Sequence, residues 1–421
     1  MPKNLISFNV DKCSILIYAS IVLFFFIFNP QSLNFSYGDG GGRYADKVDS
    51  FSEYIVRNTI KRNILSKEDI SYLPVITKGY STGDYNYYGD GYVKYFSNMT
   101  LQTMPATIIA KLLNINTERK LEAYFGLLRL ANGLVFSFLL CSFFLNFCKS
   151  QNIKNNFAIP ILIGGSAGFL FYSQNLYFVS ALMLMPATLI SFQLINGNKP
   201  SKKIVFLLGT MFFLKGYEFA TVFTLLTAFS AAVFSNGNWE DRIKAFLIVF
   251  GIICLSFLFS ISIHIAIISA DSGWILSTKE SADMAFASLQ IRTKSLNGVP
   301  FPLSSRFVDA MNERWSATAF SLTKDGMKLT EMNVIMLIGF FTILRLRVMS
   351  NVEKIIIAYG VLGYLSWYLL AYQHIMWHRM YDWYIFSLTL GLSFSLLIII
   401  YINMMSELFK KILYKTDKKN E

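Results

Sequence analysis

Apolar runs of near-spanning length recur along this chain, and the short connections between many of them are basic. That pattern constrains the fold more than any motif does. A bilayer offers no water to free backbone N–H and C=O groups, so a run of about 20 apolar residues crosses it only as a helix. Of the 421 residues, 54% are hydrophobic and 15% charged, against about 25% charged in soluble domains. Mean hydropathy is +0.45. The reading is an all-α polytopic membrane protein with about ten transmembrane helices and two large extracytoplasmic loops.

The net charge of +12 does not point to nucleic acid. The lysines and arginines fall largely between and after apolar segments, as the positive-inside rule requires. Cys13, Cys141, Cys148 and Cys254 lie in or beside apolar helices without metal-ligand spacing, and read as small apolar residues. The first apolar stretch lacks a small-x-small cleavage site and is followed by Asn29 and Pro30, so it reads as an uncleaved first helix.

Taken in order, residues 1–29 hold a cytoplasmic N-terminus and the first transmembrane helix. Residues 30–121 form the first extracytoplasmic loop, which ends in a modest apolar run at 101–115. That run contains Pro105 and Lys111, is too short to span, and is placed as an interfacial helix. Residues 122–268 carry helices two to seven, at 122–148, 157–172, 175–195, 204–214, 216–234 and 245–268. Residues 269–331 form the second extracytoplasmic loop. Residues 332–405 carry helices eight to ten, at 333–346, 355–371 and 382–405, and 406–421 are a basic cytoplasmic tail. Ten spans put both termini inside a plasma or bacterial inner membrane. The cytoplasmic side then holds Lys149, Lys154, Lys199, Lys202, Lys203, Arg242, Lys244, Arg345, Arg347 and Lys354. If 101–115 spanned, every later loop would invert and these charges would face outward.

With that topology the costly residues gather outside. The stretch 37–53, YGDGGGRYADKVDSFSE, sets Asp39 among four glycines directly after the first helix. Tyr44, Val48, Phe51 and Ile55 then recur at helical spacing, and Asp46, Asp49 and Glu53 read as the polar face of that helix. Arg129 lies inside an apolar run, where an ionisable residue marks a site, snorkels to the surface, or forms a structural ion pair. Lys215 and Glu218 sit at the outer turn of helices five and six, placed to pair at i, i+3. His264, His374 and His378 all fall at outer helix ends. His374 and His378 share a helical face beside Arg379. Three readings stand for this segment: phosphate or sugar binding, a divalent metal pair completed by Asp39 or His264, and an aromatic belt with ordinary polar residues. In the second outer loop Arg292, Lys294, Arg306 and Arg314 interleave with Phe301, Phe307 and Trp315, a mix suited to a lipid-linked phosphate or to a solvated amphipathic helix. Six tyrosines between Tyr80 and Tyr95 suit stacking on sugar rings or packing of the loop.

The segment Asp39-Gly-Gly-Gly-Arg43-Tyr44-Ala45 resembles the Asp-Glu-x-Arg-Tyr-Ala pattern that follows helix one in the GT-C superfamily of polytopic glycosyltransferases, with one residue inserted and Gly40 where the Glu stands. The resemblance covers helix one, the first outer loop and the general architecture. It implies a GT-C-like enzyme that takes a sugar from a polyprenyl-phosphate donor in the membrane lipid and transfers it to a glycan, lipid or protein acceptor, with no nucleic acid involved. Asp39 would then be the general base, with Asp49, Asp46 and Asp84 as fallbacks. Arg43, Arg129, Lys215, Glu218, His374, His378, Arg379 and Arg306 would hold the donor phosphate or substrate. His264, His374 and His378 are the candidates for a divalent metal in place of some of these. Two alternatives remain: a polysaccharide polymerase or ligase of the O-antigen type, and a transporter or flippase of lipid-linked glycans, whose usual signs are repeats and midplane polar residues in broken helices. The topology predicts that a reporter fused after Lys78 reads as extracytoplasmic; a cytoplasmic signal there would overturn it.

Overall fold

The computed structural model describes residues 4–28, 50–66, 69–77, 91–154, 157–290, 312, 314–322, 327–371 and 381–420. It is mostly helical. Three helical stretches are long and apolar enough to cross a membrane: Glu118–Ser150, Trp239–Asp271 and Tyr381–Ile412. Shorter apolar helices at Cys13–Phe28, Ser180–Ile195 and Ala220–Phe234 pack among them.

The elements run as α1 (Asn4–Phe28), α2 (Ser50–Leu65), β1 (Val75–Thr77), β2 (Tyr92–Lys94), α3 (Thr100–Leu112), α4 (Glu118–Ser150), α5 (Ala158–Gly164), α6 (Ala167–Tyr172), α7 (Ser180–Ile195), α8 (Lys202–Lys215), α9 (Ala220–Phe234), α10 (Trp239–Asp271), α11 (Thr278–Gln290), β3 (Thr318–Ser321), β4 (Lys328–Thr330), α12 (Glu331–Arg345), α13 (Asn351–Leu370), α14 (Tyr381–Leu388) and α15 (Leu390–Asn420). One hydrophobic cluster runs through the bundle and includes Phe136, Phe144, Phe212, Phe223, Ile253 and Ile356. Phe212 and Phe223 stack with centroids 3.7 Å apart and join α8 to α9. The end of the bundle that carries α2, α3 and α11 is called the loop end below, and the end that carries the last residues of α15 the tail end.

At the loop end the first polar segment folds back on the bundle. β1 and β2 pair antiparallel. Asp271, the last residue of α10, accepts from the Tyr72 backbone N–H at 2.5 Å and from the Ser71 hydroxyl at 3.1 Å, and Lys94 of β2 reaches its carboxylate at 2.7 Å. α3 is amphipathic. Gln102, Thr103, Ala106, Thr107 and Ala110 face the protein, while Ile108, Ile109 and Leu112 lie exposed. Small and polar residues permit close approach on the inner face, and an apolar outer face suits an interfacial helix.

Three expected helices differ from the sequence reading, each for a local reason. The helix expected at 157–172 breaks between α5 and α6, where Gly164, Gly165 and Ser166 supply little helix preference. The freed backbone finds partners in β3: Ser321 N–H donates to the Gly165 carbonyl at 2.9 Å, and Ser166 bridges to Phe320. Part of the expected second loop is therefore packed inside the bundle, with Ala319, Phe320 and Ser321 buried. The helix expected from 175 starts at Ser180, because the Asn175 side chain accepts from the backbone N–H groups of Tyr177 and Phe178 and holds a turn there. The helix expected over 382–405 is interrupted at Thr389, which separates α14 from α15.

α6 meets α14 without room for a side chain at Gly168. A Cβ there would lie 2.0 Å from the Trp383 carbonyl oxygen, and the Gly168 N–H donates to the Ser387 hydroxyl at 3.1 Å. Gly168→Ala should force the two helices apart and cost about 1–3 kcal/mol, read as a lower thermal unfolding midpoint in detergent. Gly126→Ala, at an open position, should leave it unchanged.

Candidate functional site

The loop end holds three polar groups packed around one aromatic cluster. The first is at the start of α2. Ser52 Oγ lies 2.9 Å from the Tyr381 hydroxyl on α14. Glu53 is buried and paired with Arg129 of α4, whose Nε lies 2.8 Å away and whose Nη2 also donates to the same oxygen. Burial pushes the Glu53 carboxyl above the usual glutamate range, and the Arg129 charge opposes that shift only in part. Glu53 thus corrects the sequence reading: it belongs to a buried ion pair and not to a solvated face. Arg129 adopts the ion-pair reading among those open to it.

The second group is the turn between α8 and α9. Lys215 is buried, and its ammonium lies 5.1 Å from the Phe212 ring centroid, 5.4 Å from Phe219, 5.6 Å from Tyr177 and 6.0 Å from Phe178. Ring faces attract a cation, more strongly where water is excluded. Gln102 of α3 locks this turn by donating to the Lys215 and Tyr177 carbonyls at 2.7 and 3.0 Å. Gly216 has φ +155°, and a Cβ on it would come 2.2 Å from Glu218 Oε2, so glycine is what lets the Glu218 carboxylate fold against the turn. Asn98 donates to the Phe213 carbonyl at 3.1 Å and to the Tyr217 hydroxyl at 3.3 Å, and that hydroxyl lies 3.4 Å from His264 Nδ1.

The third group is wholly buried. Arg314, from the second polar segment, meets Asp382 of α14 through Nε and Glu331 of α12 through Nη2, the latter at 3.0 Å. Its guanidinium lies 4.7 Å from the Trp383 ring centroid. Tyr368 of α13 donates to Asp382, and Tyr364 lies 3.1 Å from the Tyr368 hydroxyl and 3.4 Å from Glu331. Tyr381 joins the groups: its ring packs 5.1 Å from Phe178 and 5.6 Å from Phe219, beside Lys215.

Lys215, Glu218, Arg129 and His264 therefore lie at one end of the bundle. Asp39, Arg43, Asp46, Asp49, Asp84, Arg306, His374, His378 and Arg379 lie outside the described residues. Two segments that carry most of them, 29–49 and 372–380, run directly into Ser50 and Tyr381, at the first group. Among the described residues no cluster of three His, Cys, Asp or Glu side chains is placed to hold a metal. Sequence reasoning missed Glu331, which looks like an ordinary acid opening a helix, and Gln102, hidden in an apolar run. Compared with known proteins, the chain matches no family model, no curated protein and no solved structure.

Arg129→Met leaves Glu53 buried without its cation and should destabilise by about 3–5 kcal/mol; adding Glu53→Gln should recover most of that loss, measured as unfolding midpoints of the single and double variants. The pH dependence has a defined sign. A carboxyl raised by folding favours the fold fully below the ordinary glutamate range and loses that contribution as pH rises through its raised value. Wild type should lose stability relative to Glu53→Gln as pH increases; parallel curves would contradict the raised value.

Proposed function

We propose that this chain is a multi-pass membrane glycosyltransferase of the GT-C type, which moves a sugar from a polyprenyl-phosphate donor onto an extracytoplasmic glycan, lipid or protein. The observation that carries this reading is the hydrogen bond between Ser52 and Tyr381. Ser52 follows the glycine-rich segment that bears Asp39 and Arg43, and Tyr381 follows the segment that bears His374, His378 and Arg379. The described chain that follows each of these segments thus meets at one end of the bundle, at Ser52 and Tyr381.

The topology agrees with this reading. The tail-end connections and the helix turns beside them contain Lys149, Lys199, Lys202, Arg242, Arg347 and Lys354, and the positive-inside rule supports a cytoplasmic side there. The loop end is then extracytoplasmic, where no nucleotide donor is at hand and a lipid-linked one is. Ten spans follow if α1, α4, α7, α8, α9, α10, α12 and α13, and the pairs α5–α6 and α14–α15, each cross once. In this mechanism Asp39 takes the proton of the acceptor hydroxyl as its oxygen attacks the anomeric carbon. The bond from that carbon to the donor phosphate breaks, and Arg43, Lys215, His374, His378, Arg379 and Arg306 are the groups available to stabilise the departing phosphate. Glu53 keeps Arg129 engaged, so Arg129 serves to hold α2 against α4 at this site.

Asp39→Asn in native membranes should lower transfer of the lipid-linked sugar by about 10²–10⁴-fold at unchanged protein level. Full activity with Asp39→Asn and none with Asp49→Asn would move the base to Asp49. If neither variant loses the glycan, the enzyme reading falls. Consumption of two lipid-linked glycans, with lengthening of one, would identify a polymerase instead.

A further inference from the structure

Glu331 and Asp382 both reach the Arg314 guanidinium, and the three side chains are essentially without solvent exposure. Two carboxyls and one guanidinium thus share a site closed to water, where full ionisation would leave one negative charge uncompensated. Two carboxylate oxygens repel unless a proton lies between them, and a buried pair sharing one proton avoids an uncompensated charge. The donors differ between the two, and the carboxyl with fewer of them is Glu331. Asp382 accepts from Arg314 Nε and from the Tyr368 hydroxyl. Glu331 accepts from Arg314 Nη2, while its other oxygen has Tyr364 at 3.4 Å, a long contact. The groups facing the pair are Arg314 from the second polar segment, Tyr364 and Tyr368 from α13, and the Trp383 ring beneath the guanidinium.

The geometry points to a buried proton-binding site where Glu331 and Asp382 share the Arg314 guanidinium, with the proton carried on Glu331. The site stands at the neck of a loop. Tyr368 near the end of α13 and Asp382 at the start of α14 are bonded to each other, and the segment 372–380 with its two histidines and Arg379 lies between them in sequence. Glu331 and Arg314 bring the second polar segment to the same point. The held proton therefore joins α12, α13 and α14 at this point without a net charge in the core. Its release to solvent leaves two carboxylates on one guanidinium and loosens the joint between α12, α13 and α14.

Infrared spectroscopy of the purified protein in lipid reads this directly and needs no glycan assay, so its outcome is separate from the enzyme proposal. Wild type at neutral pH should show the C=O stretch of a protonated carboxyl, shifted in D₂O, and Glu331→Gln should remove it. Glu331→Gln keeps a neutral hydrogen-bonding group and should unfold within a few degrees of wild type. On the alkaline side the wild-type midpoint should fall as pH rises, because a proton bound only in the fold is lost, while Glu331→Gln should lack that fall. Absence of the band from wild type, its survival in Glu331→Gln, or parallel midpoint curves for the two proteins would overturn the assignment. Failure of Glu331→Gln to fold would also count against it, since the amide is the nearest neutral stand-in.

Discussion

Burial of charge at the loop end sets the terms on which the rest of this structure is assembled. Arg314 is fully buried, and its partners Asp382 and Glu331 come from helices α14 and α12. Arg129 and Glu53 join α4 to α2 in the same way, and Lys215 lies inside a shell of four aromatic rings between α7, α8 and α9. Taking an ion out of water costs several kcal/mol even after relaxation, so each of these groups is tolerable only with its partner in place. The consequence is a set of joints that fix where the polar segments enter and leave the bundle.

Backbone groups obey the same accounting. Where α5 gives way to α6, the irregular backbone at Gly165 and Ser166 is met by β3 of the second polar segment. Irregular backbone deep in a bundle survives only where protein supplies the missing partners. That need explains why a segment that reads as an outer loop is drawn between helices, and why Gly168 and Ser387 sit at the α6–α14 crossing. The break and the hairpin are one feature seen from two sides.

The candidate site draws on both constraints. Ser52 on Tyr381, the Gln102 bonds across the Lys215 turn, and the Asn98–Tyr217–His264 chain all tie loop-end segments to helix ends. None of these bonds is a motif. Together they bring the sequence-flagged Lys215, Glu218, Arg129 and His264 to one end. The Glu53 pair also gives Arg129 a structural task.

Hydropathy was enough to read a mostly helical chain with helices long and apolar enough to cross a membrane, and the short amphipathic helix at α3. These depend on the side chain's preference for water or lipid, which is a property of each residue alone. Helix breaks at Gly165 and Thr389, the burial of Glu53, and the partnership of Arg314 with Glu331 and Asp382 were not legible. Glu53 sits among polar neighbours in sequence and looks solvated. Glu331 opens a helix, where an acid is ordinary. Residues 314 and 382 are far apart along the chain. Their pairing rests on desolvation and contact, which exist only once α2, α4, α12 and α14 have packed, and that is why tertiary structure alone decided it.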